Sequence, residues 1–323
     1  MHALPLSAFL PTASPLVLGC MGLGGGWDAQ PLSESDVDKA QAATEAALAA
    51  GITLFDHANI YTLGKAEESF GRLFQRQPGL RQSLLLQSKC GIRFADAEGP
   101  KRYDLSAQHM VDSVDAILRR LRTDYLDVLV LHRPDPLAQP AEVARAWQQI
   151  KAAGKARFLG VSNMHAAQVA WLQRALGEPL VVNQLEMSLL KCDWLESATC
   201  FNDGQGASTH AWHGTLEYAQ AHGQQLQAWG ALARGWYSGA APDDAPAAVH
   251  STAACVQQLA QAHGVAPEAI VLAWLMQHPA RIQPVIGTTD PHRIRACAQA
   301  TQVTLSRGAW YQLYEAARGR ELP

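Results

Sequence analysis

Short apolar runs alternate along this chain with longer stretches in which apolar residues return every three or four positions. Eight runs fit strands: 16–18, 52–55, 84–86, 128–131, 158–161, 180–183, 225–229 and 282–286. Nine stretches have the helical period: 35–50, 66–75, 106–121, 141–153, 166–176, 212–221, 252–262, 267–277 and 291–300. Local signals support these limits. Ser33 and Ser35 precede acidic residues, Ser106 stands at a cap position, and Pro267 and Pro291 sit where a first helical turn tolerates proline. Gly51, Gly154, Gly177 and Gly264 follow helical runs, where a left-handed closing residue is favoured. Regular βα alternation predicts a parallel sheet, and strands that read as nearly all apolar are those covered on both faces. Eight units are the number that closes a (β/α)8 TIM barrel, so the expectation is one barrel domain over residues 1–323. Segment 4–10 is expected as a small hairpin arm plugging the barrel floor, and the tail from Leu305 as an extra helix packed outside. Long connections at 93–105, 191–211 and 230–249 belong over the mouth, where they set substrate choice.

Three of the apolar runs lead into polar residues of different kinds. Run 52–55 ends at Asp56 with Tyr61 shortly after it, run 84–86 leads into Lys89, and run 128–131 ends at His132. In a parallel barrel the carboxyl ends of the strands share one mouth, so these four side chains are expected to converge there. A free phenol has a pKa of about 10, too high for an efficient acid near neutrality. A neighbouring ammonium would lower it, an aspartate would hold that ammonium charged, and a histidine could orient a carbonyl oxygen. Such a group suits protonation of an oxygen on which negative charge develops. Singly, a buried Asp–Lys pair is usually structural and a strand-end histidine usually a satisfied core residue. The convergence carries the functional reading.

The same stretches resemble the aldo-keto reductase family over nearly the whole chain. The matching motifs are Phe-Asp-His-Ala-Asn-Ile-Tyr at 55–61 with Glu67, Glu68 and Gly71, Gln-Ser-Lys-Cys-Gly at 87–91, and Asp-Tyr-Leu-Asp-Val-Leu-Val-Leu-His at 124–132. Gly-Lys-Ala-Arg-Phe-Leu-Gly-Val-Ser-Asn at 154–163, Asn183-Gln184 and Ile-Gly-Thr-Thr at 286–289 continue the series, and the chain looks closest to a bacterial branch of oxidoreductases. The resemblance implies a catalytic tetrad of Asp56, Tyr61, Lys89 and His132, with Tyr61 as general acid. It implies that Ser162, Asn163 and Gln184 hold a nicotinamide carboxamide and that Trp229 stacks on the ring. Gly230, Leu232, Gly287, Thr288 and Thr289 match the pyrophosphate and adenosine-phosphate segments, and Arg293 the arginine near the adenine end. NADP(H) is the family's usual cofactor, and a small carbonyl or alcohol its substrate. Two departures stand against the pattern. Asp290 lies where many members carry a cation, and Ala296 and Cys297 replace a Glu/Asn pair that often contacts adenine. Asp290 is expected to be a solvated first-turn acid, leaving Arg293 to favour NADPH.

Composition narrows the alternatives. Hydrophobic residues make up 48% of the 323, net charge is −3 and the pI about 6.4, with no block of like charge. That argues against nucleic acid or an anionic membrane as partner. No apolar segment is long enough to span a bilayer, and the six cysteines form neither CxxC nor metal spacing, so reduced thiols in the cytoplasm are expected. His210 and His213 lie three apart without a fitting acidic or thiol partner, and no metal is expected. Gly24-Gly25-Gly26-Trp27-Asp28-Ala29 formally fits a dinucleotide fingerprint, yet Gln30-Pro31 follows where the phosphate-binding helix must already run. Trp27, Trp194 and Trp236 are read as bordering the mouth or as plain loop packing. A cofactor-binding barrel without turnover, and the same chemistry run as alcohol oxidation, remain open beside carbonyl reduction. Oligomeric state is not legible in the sequence.

Overall fold

The computed structural model describes residues 3–200 and 213–323. Its strands, in chain order, are β1 (Val17–Gly19), β2 (Leu54–Asp56), β3 (Leu85–Cys90), β4 (Ile92–Arg93), β5 (Arg102–Tyr103), β6 (Leu126–Leu131), β7 (Ala156–Ser162), β8 (Val182–Glu186), β9 (Gln225–Trp229) and β10 (Gln283–Ile286). All but β4 and β5 close a barrel in the order β1-β10-β9-β8-β7-β6-β3-β2. Every pairing in it is parallel. Strands β4 and β5 form a separate antiparallel pair inside the connection expected to be irregular.

The covering helices are α1 (Glu34–Ala49), α2 (Lys65–Arg76), α3 (Ala107–Leu121), α4 (Pro140–Ala152), α5 (Ala166–Leu176), α7 (Thr215–Ala221), α8 (Ala247–His263), α9 (Pro267–Met276) and α10 (Pro291–Ala298), with α6 (Asp193–Thr199) in the connection after β8 and α11 (Arg307–Arg318) last. Ser33 and Ser106 cap α1 and α3 as their positions suggest, each accepting from a backbone N–H in the first turn. Helix α11 is the expected outer helix, and Trp310 stacks on Trp274 of α9 with ring centroids 5.2 Å apart. The helical stretch expected at 212–221 begins at Thr215, and its first residue lies outside the described residues, as does His210. No single described helix is long and apolar enough to cross a membrane.

The floor departs from expectation. Segment 4–10 forms no hairpin: Pro5–Ala8 is a 3-10 turn, held by Ser7 N–H to the Leu4 carbonyl and Phe9 N–H to the Leu6 carbonyl, each at 3.0 Å. Pro5 fixes the backbone in a first-turn conformation, and the segment's own carbonyls with the Gln225 side chain, rather than a second strand, satisfy its N–H groups. It still plugs the barrel. Leu6 and Leu10 are buried with Val17, Leu54, Leu85, Val128, Val182 and Val285, and Phe9 meets Phe158 edge-on at 5.4 Å.

The barrel interior also carries polar side chains, from the plug upward. Because side chains alternate along a strand, the residues that share the inward face with Lys89, Trp229 and Val285 include Gln87, Gln225, Gln227 and Gln283, all fully buried. The strands are therefore not apolar throughout, as their sequence runs suggest.

Candidate active site

The four expected residues come together at the mouth. Asp56 is the last residue of β2, Lys89 lies one residue before the end of β3, and His132 directly follows β6. Tyr61 opens a 3-10 turn, Tyr61–Gly64, in which Thr62 and Leu63 have φ of 45° and 60°. Side-chain residues rarely hold such angles, and the Thr62 hydroxyl anchors the turn by donating to the Leu23 carbonyl at 2.9 Å. The phenol is thus carried on a backbone fixed from both sides.

Lys89 organises the group. Its Nζ donates to Asp56 Oδ2 at 2.6 Å, to the His57 carbonyl at 2.9 Å and to Tyr61 Oη at 3.0 Å. An ammonium has three N–H groups, and all three are used. The Lys89 and Asp56 side chains are only 1% and 3% exposed, so each charge depends on the other. Burial opposes the charge on Lys89, but Asp56 and Tyr61 outweigh it and the amine is held above its usual value. Burial likewise raises the Tyr61 phenol, Lys89 pulling against it. The pull expected from Lys89 is present, and burial exceeds it. At neutral pH the phenol keeps its proton, and since its oxygen accepts from Lys89, that proton is free to be given away.

His132 faces Tyr61 with ring centroids 6.2 Å apart and nearly perpendicular planes. Burial, helped by the charge of Lys89, lowers its pKa to about 2, so the imidazole is neutral. Its Nδ1 has no hydrogen-bond partner among the described residues. His57, fully buried against Phe70, is also neutral, with a pKa lowered by burial to about 3.

The residues expected to hold a nicotinamide line the opposite side. Ser162 Oγ donates to the Gln184 carbonyl at 2.8 Å, and Asn163 Nδ2 donates to Ser162 Oγ at 2.7 Å. Asn163 adopts φ of 60°, and its Oδ1 accepts from Trp229 Nε1 at 3.2 Å. Asn163 and Trp229 line a cavity of about 270 Å³ with Arg133, His165, Glu186 and Lys191. The Arg133 guanidinium lies 6.0 Å from the Trp229 ring centre. Arg133 and Glu186 were not singled out in the sequence, although each sits one or two residues beyond a position that was.

At the far end, Gly230 and Leu232 follow β9, and Gly287, Thr288 and Thr289 follow β10. Asp290 is exposed, as expected, but it is the N-cap of α10 rather than a first-turn acid: its Oδ1 accepts from His292 N–H at 2.7 Å and Arg293 N–H at 3.4 Å. Thr288 supports it by accepting from the Asp290 N–H at 3.2 Å. Arg293 is not free either; its Nε lies 3.4 Å from Glu268 Oε1, with the arginine side chain 44% exposed. Of the three tryptophans read as bordering the mouth, Trp194 is fully buried between Trp274 and His278, Trp27 is exposed and Trp236 half-buried.

Comparison with known proteins gives the family and the fold. Residues 15–318 match the model of the aldo/keto reductase family. A 6-dehydroglucose reductase from Agrobacterium fabrum is 37% identical over 315 residues, covering 96% of both chains. A second, from Novosphingobium aromaticivorans, is 37% identical over 305 residues, 92% of each. Among solved structures, the glycerol dehydrogenase of Gluconobacter oxydans superposes with a TM-score of 0.78 at 22% identity, over 95% of this chain and 92% of that one. At that identity the likeness is one of fold.

Proposed function

The chain belongs to the aldo-keto reductase family and is an oxidoreductase that uses a nicotinamide cofactor, and we propose that it reduces an aldehyde or ketone with NADPH, with Tyr61 as the proton donor. The observation that carries this reading is the complete use of the Lys89 ammonium by Asp56, the His57 carbonyl and Tyr61 Oη. With its oxygen already accepting from Lys89, the phenol O–H is left to donate onward. The residues present fit the cofactor. A half-buried indole stands beside the Asn163 and Gln184 amides at the mouth, and a cation stands near the start of α10 at the other end.

When bound, the cofactor supplies a hydride to the carbonyl carbon. What the chain supplies is orientation and a proton. Neutral His132 donates to the carbonyl oxygen and fixes its direction, while Tyr61 delivers its proton as charge builds on that oxygen. Lys89 stabilises the phenolate that forms, and Asp56 keeps Lys89 charged and aimed. Ser162, Asn163 and Gln184 would hold the carboxamide, Trp229 would lie against the ring, and Gly230, Leu232, Gly287, Thr288, Thr289 and Arg293 would line the rest of the dinucleotide.

The relatives and the cavity support a hydroxylated substrate. Two relatives are named 6-dehydroglucose reductase, and the cavity beside Trp229 sets Arg133, Glu186 and Lys191 next to the apolar Met164 and Leu185. A hydroxylated aldehyde would find hydrogen-bond partners there as well as apolar surface. The test is a carbonyl panel that includes oxidised hexoses, assayed with NADPH and NADH separately. Turnover of hydroxylated aldehydes with NADPH is expected; no turnover of any carbonyl with either cofactor would overturn the proposal.

A further inference from the structure

A chain of buried amides crosses the barrel beneath the mouth. Gln87 Nε2 donates to Asp56 Oδ1 at 2.7 Å and to Gln227 Oε1 at 2.9 Å. The same Gln227 oxygen accepts from Gln184 Nε2 at 3.1 Å, and Gln227 Nε2 donates to Gln283 Oε1 at 2.9 Å. Gln283 Nε2 ends the series on the Ser14 carbonyl at 2.6 Å. None of these glutamines is more than 3% exposed. Asp56 and Gln87 are neighbours in register, as are Gln184 and Gln227, and Gln227 and Gln283; the Gln87–Gln227 bond spans the barrel between β3 and β9.

The direction of every amide in this chain is set by its ends. A carboxylate and a backbone carbonyl can only accept, so Gln87 must present nitrogen to Asp56, and Gln283 nitrogen to Ser14. Gln87 keeps that orientation although its own Oε1 has no partner among the described residues. Gln227 is then left with oxygen toward Gln87 and Gln184 and nitrogen toward Gln283. Turning its amide over would set nitrogen against nitrogen at two contacts and oxygen against oxygen at a third.

We infer that Gln227 is a positioning residue that fixes the amide of Gln184, so that Gln184 offers Oε1, and not Nε2, to the carboxamide of the nicotinamide. This rests on the proposal that Gln184 holds that carboxamide. With one N–H of Nε2 held by Gln227 and the nitrogen turned toward it, Oε1 is the side of the amide left for the ligand, and it selects the N–H of the carboxamide. The acid that steadies Lys89 and the amide that reads the cofactor are thereby joined through two intervening side chains.

The test compares the dissociation constants of NADP⁺ and its 3-acetylpyridine analogue, whose ring substituent keeps the carbonyl but has no N–H to donate. Binding is followed by quenching of tryptophan fluorescence without a carbonyl substrate. The wild-type protein is expected to bind NADP⁺ roughly fivefold or more tighter, the effect of leaving a buried acceptor unpaired. In Gln227→Met the Gln184 amide is free to turn and donate to the acetyl oxygen, and the ratio should fall toward one. Gln227→Glu should restore it, since a carboxyl oxygen accepts from Gln87 and Gln184 in either protonation state. Gln227→Asn, one methylene too short to meet both partners, replaces Gln227→Met should that variant not fold. Gln184→Met separates the two proposals. If it abolishes the ratio while Gln227→Met and Gln227→Asn leave it intact, Gln184 reads the carboxamide and the role of Gln227 is refuted. If Gln184→Met also leaves the ratio intact, both proposals fail. A wild-type protein without preference between the two cofactors overturns the inference directly.

Discussion

The two ends of the mouth hold their charges in opposite ways. At the Tyr61 end, Lys89 and Asp56 are sealed from water, and every N–H of the ammonium has a partner. At the α10 end, Arg293 is nearly half exposed, its guanidinium sits 3.4 Å from Glu268, and the helix N-terminus is closed by Asp290. A buried pair cannot relax into solvent, so its geometry is fixed by the fold before any ligand arrives. A half-exposed arginine is partly screened, even beside the mostly buried carboxylate of Glu268, and can turn to another partner at smaller cost. On the proposed reading, proton delivery is built into the barrel, whereas selection of the cofactor's phosphate would depend on side chains that must first leave other partners.

The sharpest way to break this contrast is Tyr61→Phe, which removes only a hydroxyl. A fall in kcat of about a hundredfold or more is expected, with cofactor affinity unchanged in a fluorescence titration. Near-normal turnover would show that the sealed end does not deliver the proton. Next in size is Lys89→Met, which leaves the Asp56 carboxylate buried without its cation. A loss of about 3–5 kcal/mol is expected in denaturant unfolding, partly recovered when Asp56→Asn is added. A stability change within error would mean that solvent reaches the pair.

The buried imidazoles give the contrast a pH signature. His132 and His57 are held neutral in the fold, with pKa values of about 2 and about 3 against 6.5 for an ordinary histidine. Between those values the unfolded chain binds protons that the folded one refuses, so their contribution is fully present above pH 6.5 and is lost on acidification. The melting temperature should fall as pH drops below 6.5, whereas kcat should show no break near that value. A break in kcat near 6.5 would mean that His132 titrates normally and is not shielded.

At the exposed end the effects should be small. Arg293→Ala is expected to weaken NADPH by about 1 kcal/mol, the low end for a charge-assisted contact, because exposure and Glu268 both discount it. NADH binding should not change, and equal weakening of both would show that Arg293 does not read the phosphate. Smallest of all is Asp290→Asn. Asparagine caps a helix as well as aspartate does, so stability should hold, while loss of the charge should tighten NADPH by at most about 1 kcal/mol. A calorimetric titration that sees no gain would place the phosphate away from α10.

What could be read in the sequence follows the same division. Asp56, Lys89 and His132 are legible because each closes or follows an apolar run, and strand ends in a parallel barrel face one way. The apolar run 84–86 covers only the start of β3: the strand continues to Cys90, with Gln87 and Lys89 on the inward face and Ser88 turned outward to Glu67. That period of two would also have revealed Gln227, two residues before Trp229. The pairing of Arg293 with Glu268 has no such signal, being made between α9 and α10, and the cap at Asp290 differs from a first-turn acid by one residue of register. The pair β4–β5 and helix α6 were hidden inside connections whose short elements carry too few residues for a periodicity to show. The arm at 4–10 was placed correctly, but its apolar content fits a turn as well as a strand.

That arm also bears on how the chain reaches its final form. Leu6 N–H is matched by Gln225, 219 residues later, and the Ala3 carbonyl by Arg281, 278 residues later. The leucines of the arm therefore wait for partners made much later in synthesis, and contacts of such sequence separation are slow to form. Until β9 and β10 are in place, the open base of the barrel and the unseated Leu6 and Leu10 are the sticky surfaces of the nascent chain, the kind that chaperones hold and that aggregation exploits.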